Sequence, residues 1–189
     1  MRYQSLTWIN FNRRWYAAAL GLFIAVSFSV PGLGAEPNGP SSLHTRIESV
    51  RIAVQDRLSA GPPTWDARKD ELDALIKYYA EADQGLSWVD ENGVSERGKA
   101  VIAEIERADD YGLRTSDYAL PNPGGFNAND AKAGDWLADA EIKISFAVLD
   151  YARDARGGRI DPQRLSENLD PTLALPDPSE VIQSFFHSN

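Results

Sequence analysis

Apolar residues return at intervals of three and four along most of this chain, and that spacing restricts it to helices that share a core. Leu43, Ile47, Val50, Val54 and Leu58 form one stripe, entered through Ser41 or Ser42 as a cap and stopped by Gly61-Pro62-Pro63. Leu72, Leu75, Ile76 and Tyr79 form a second, capped by Asp66 and ended by Gly85. Val101, Ile102, Ile105 and Ala108 form a third behind a Ser95 cap, with Gly112 as the left-handed residue after the helix and Leu113 as its apolar partner. A fourth begins near Asp135, carries Leu137, Ile144, Val148 and Tyr151, and ends near Arg156 ahead of Gly157-Gly158. Asp177-Pro178-Ser179-Glu180 reads as a fifth start, with Asp as cap, Pro in the first helical position and Glu able to reach back. Val181, Ile182, Phe185 and Phe186 begin its apolar face, and the pattern predicts a helix cut short with bulky residues uncovered. Between helices, Leu86-Ser87-Trp88-Val89 is a short extended piece and Asp90-Glu91-Asn92-Gly93 a turn. Residues 121–134 are a Pro/Gly/Asn loop, and Arg159-Ile160-Asp161-Pro162 turns the chain. The expected fold is all-α: a small irregular domain of four to five helices, without internal repeats.

Residues 1–35 break this pattern. They begin polar and carry Arg13-Arg14; residues 15–30 then run WYAAALGLFIAVSFSV, and Pro31-Gly32-Leu33-Gly34-Ala35 follows. A charged opening, an apolar run and a small-residue exit predict a secretory signal peptide. Cleavage after Gly34 places Gly at both −1 and −3; cleavage after Ala35 places Leu33 at −3. The apolar run of 16 is short for a membrane-spanning helix of about 20 residues. Asn12-Arg13-Arg14-Trp15-Tyr16 is a loose match to a twin-arginine signal. Residues 36–42 read as a linker and residues 43–189 as the helical domain, truncated at its C-terminus. The expected compartment is the periplasm, with membrane contact only through the signal.

Composition removes several kinds of chemistry. There is no cysteine, which excludes disulfides, thiolate metal sites, a lipobox and a cysteine nucleophile within the chain. The two histidines, His44 and His187, are too few for a His-rich metal centre and lie at a helix start and near the chain end, where neither is set to serve a Ser–His–Asp triad. The formal charge is −9. Without residues 1–35 and their three arginines, 16 basic residues face 28 acidic ones, a balance that repels phosphate backbones and anionic lipid. Nucleic acid is therefore not an expected partner.

The remaining motifs read more simply as architecture. Gly93-Val94-Ser95-Glu96-Arg97-Gly98-Lys99-Ala100 approaches the phosphate-loop pattern, but Ala100 stands where a magnesium-binding hydroxyl is needed, and Asp90-Glu91-Asn92 precedes it where that motif needs a buried strand. The acids Glu104, Glu106, Asp109 and Asp110 have the types needed for glycoside acid/base work, yet Ile102 and Ile105 occupy the buried face between them. Asp90, Glu91 and Asn92 miss the calcium-loop spacing. Tyr78, Tyr79, Trp88, Tyr111 and Tyr118 have the chemistry of sugar stacking and the positions of core residues. No residue is assigned as catalytic, cofactor-binding or metal-binding, and no cofactor is implied.

Three blocks in order carry a resemblance. They are Leu86-Ser87-Trp88-Val89-Asp90 with Gly93; Ala108-Asp109-Asp110-Tyr111-Gly112-Leu113 with Asp117-Tyr118 and Leu120-Pro121; and Tyr151-Ala152-Arg153-Asp154 leading to Gly158-Arg159-Ile160-Asp161-Pro162. Together they resemble the N-terminal scaffold domain of the large murein L,D-transpeptidases of Gram-negative bacteria. The resemblance implies export, a helical scaffold beside a catalytic domain, and a family chemistry in which a cysteine forms 3→3 crosslinks between peptidoglycan stem peptides. With no cysteine here, no catalytic residue transfers. The resulting expectation is the non-catalytic scaffold portion of such an enzyme, with peptidoglycan or cell-wall synthesis proteins as partners. Two rivals stand beside it: a free-standing periplasmic module that binds cell-wall enzymes or glycan, and a small acid/base glycan hydrolase using the acids from Glu104 to Asp110.

Overall fold

The computed structural model describes residues 40–61, 68–81, 85–157 and 174–186. The signal peptide at 1–35, the first four linker residues, Pro62-Pro63, the Asp66 cap, the turn at 158–162 and His187 lie outside the described residues, as do the side chains of Leu43 and His44.

Among the described residues five α-helices and one two-stranded hairpin occur in the order α1 (Pro40–Ala60), α2 (Lys69–Ala80), β1 (Val89–Asp90), β2 (Gly93–Val94), α3 (Glu96–Ile105), α4 (Ala133–Asp154) and α5 (Pro178–Phe186). Short 3₁₀ turns at Ala108–Tyr111, Thr115–Asp117 and Pro123–Gly125 connect α3 to α4. The all-α expectation is correct.

Helix α4 is the centre. Leu137, Ala138, Ala140, Ile142, Ile144, Ala147, Val148 and Leu149 are all buried, so its apolar character runs around the helix as burial on several sides requires. Helices α1, α2, α3 and α5 and the hairpin all pack on it. Val50, Val54 and Leu58 carry the α1 stripe into the core. Arg57 fixes α1 to the start of α4: Nη1 donates to the Asp135 carbonyl at 3.0 Å and to Asp139 Oδ1 at 2.6 Å, while Nη2 donates to Asp135 Oδ1 at 2.6 Å.

Several boundaries differ from expectation for local reasons. Helix α1 already includes Ser41 and Ser42, since it starts at Pro40. Helix α2 ends at Ala80 rather than Gly85, with Glu81 extended and its N–H on the Tyr78 carbonyl. Ser95 caps α3 as predicted, its Oγ accepting from Gly98 N at 3.1 Å. Gly112 is left-handed at φ 76°, but it closes the Ala108–Tyr111 turn and not α3. The cap geometry is nevertheless the expected one: Leu113 N donates to the Ala108 carbonyl and Gly112 N to the Asp109 carbonyl. Asp177 caps α5 by accepting from Ser179 N at 2.7 Å. The uncovered apolar face predicted for α5 is not found, because Val181, Ile182 and Phe186 are buried against α2 and α4.

Candidate functional site

The most concentrated polar chemistry among the described residues is internal, where α2, α4 and the residues leading into β1 meet. Glu141 of α4 is fully buried. Its Oε1 accepts from the Tyr79 hydroxyl and from Ser87 N, both at 2.6 Å. Its Oε2 accepts from Trp88 N at 2.9 Å and Val89 N at 3.1 Å. Four donors aimed at two oxygens suit a carboxylate, which only accepts. Burial pushes the Glu141 carboxyl above its ordinary value, while Tyr79 and the three backbone N–H groups pull it back down. The Tyr79 hydroxyl is pushed well up, first by burial and then by the adjacent charge, so it keeps its proton and donates.

Ser145, one turn further along α4, extends the network. Its Oγ donates to the Glu141 carbonyl at 2.8 Å, accepts from Trp88 Nε1 at 3.0 Å and lies 3.0 Å from the Tyr79 hydroxyl. Trp88 is held from the other side too, since its carbonyl accepts from Ser95 N at 2.9 Å and from Ser95 Oγ at 3.0 Å. Phe186 of α5 meets the indole edge-on at 4.8 Å, and the Arg97 guanidinium lies 5.1 Å from the ring centre while donating to the Phe186 carbonyl. The predicted burial of Trp88 is therefore correct, and the groups holding it come from α3, α4 and α5.

A second cluster lies between α2, α4 and α5. Arg153 pairs with Glu71, with Asp150 at 2.7 Å and with Asp154 at 3.4 Å. Burial pushes the Glu71 carboxyl up, and the Arg153 charge opposes that. A cleft of about 30 Å³ adjoins it, far below the few hundred Å³ of a typical metabolite pocket.

The residues weighed from sequence are scattered and occupied. Gly98 is buried against the Trp88 carbonyl and Val94, and Lys99 is exposed and paired with Glu96 at 2.7 Å, so the phosphate-loop letters belong to a hairpin and a capped helix. Glu104 and Asp110 flank Arg107 at 3.6 and 3.2 Å, and Asp109 accepts from the Thr115 hydroxyl. Glu106, Asp109 and Asp110 are exposed, which makes this a solvated rim. Tyr78, Tyr79, Trp88 and Tyr118 are core residues, while Tyr111 is 57% exposed. Among the described residues no group of three or more His, Asp or Glu side chains could hold a metal, and no helix is long and apolar enough to cross a membrane. Sequence reasoning missed Glu141, Ser145 and the Glu71–Arg153 pair. A signal for the first two was present: Glu141 and Ser145 interrupt the stripe of Leu137, Ile144 and Val148 with polar residues one turn apart.

Compared with known proteins, the chain matches one family model, described as Scaffold domain, over residues 73–189. No curated protein and no solved structure matches it.

Proposed function

Because this chain belongs to the Scaffold domain family, we propose that it is the non-catalytic scaffold portion of an exported peptidoglycan L,D-transpeptidase. In this reading it acts in the periplasm and holds the enzyme's catalytic part in place. The observation that carries the proposal is that the described residues of the three resembling blocks are engaged inside the fold. Ser87, Trp88 and Val89 give their backbone N–H groups to Glu141. Gly112 and Leu113 close a 3₁₀ turn, and Arg153 links Glu71, Asp150 and Asp154. Among the described residues these groups are engaged with one another and hold the domain together. The nucleophile of crosslinking is a thiolate, and with no cysteine in the 189 residues it must come from another segment or chain.

Residues 36–189, incubated with disaccharide-peptide substrates, should yield no 3→3 crosslinked product on muropeptide analysis and should cleave no glycan. The DNA downstream of codon 189 should encode, in some frame, a segment carrying Ser-x-Gly-Cys near a histidine. Turnover by the purified chain that disappears on changing Glu104 or Asp109 would overturn the scaffold reading in favour of the hydrolase. Intact downstream sequence lacking such a segment would favour the free-standing module.

A further inference from the structure

We draw no further inference here: the strongest candidate, the half-buried Arg97 guanidinium stacked on Trp88 at the end of α5, already caps that helix through the Phe186 carbonyl, and nothing among the described residues shows what would meet its remaining N–H groups.

Discussion

Glu141 occupies a position on α4 that periodicity alone assigns to an apolar residue, and the reason is local. The segment at Ser87, Trp88 and Val89 is buried with too little strand to satisfy its own amides, so a side chain must accept them. Glu141→Gln keeps the shape but turns an N–H₂ toward donors, and it should destabilise the fold by about 2–4 kcal/mol in a urea melt. A loss of only a few tenths would mean that the amides have other acceptors. The pH dependence follows from the same burial. Glu71 and Glu141 are both raised by desolvation, so the folded state holds their protons more tightly than the unfolded chain does. With more protons bound when folded, their contribution to stability grows as pH falls from above their folded values toward the ordinary carboxylate value of about 4.3, and it is lost as pH rises. Glu71→Gln removes one share of this linkage. The wild-type urea midpoint should therefore gain on the variant's as pH is lowered from neutral; if it loses ground instead, Arg153 dominates and holds Glu71 ionised.

At the scale of elements, what the sequence made legible was whatever repeats. The stripes at Val50, Val54 and Leu58 and at Leu137, Ile144 and Val148 are buried as their spacing demands, and the Ser95 and Asp177 caps hold their helices by side-chain bonds. The pairing of the hairpin was not legible, because strands of two residues have no alternation to detect; the extended piece ending at Val89 and the Asp90-to-Gly93 turn could be read. The Gly112 cap was legible as chemistry but assigned to the wrong element, since a 3₁₀ turn at Ala108–Tyr111 continues the apolar spacing of α3 after its α-helical bonds end. The Glu141 and Glu71 clusters join residues that are tens of positions apart, and no local pattern encodes such a pairing. Close approach of elements gives its own test at Gly98. A Cβ there would overlap the Trp88 carbonyl oxygen and crowd Val94 Cγ1, so α3 could not lie so near the hairpin. Gly98→Ala, a change that normally favours a helix, should instead cost about 1–3 kcal/mol through this overpacking. A stabilised variant in thermal or urea unfolding would show that the hairpin yields without cost.

The whole molecule does not divide where the family match begins. The matched region starts at residue 73, inside α2, and leaves α1 outside it. Yet Val50, Val54 and Leu58 of α1 are among the most deeply buried side chains, and α1 packs along α4 and against α2. Each of these three is worth about 1.5–3 kcal/mol when fully buried. Together that is comparable with the whole stability of a domain, about 5–15 kcal/mol. The Arg57 contacts to Asp135 and Asp139 add little by comparison, because both acids are more than half exposed. Removing α1 would also uncover apolar surface on α4, the helix on which the other elements converge. Residues 62–189 should therefore lose cooperative unfolding and bind a hydrophobic dye, whereas residues 40–189 should unfold in one transition. A synthetic peptide of residues 40–61 added to the shorter chain should restore part of the transition, and replacing its Val50 and Val54 by Asp should abolish that rescue. A shorter chain that melts cooperatively at the same temperature as the longer one would show that α1 is an accessory to the fold and that the family boundary is also its folding boundary.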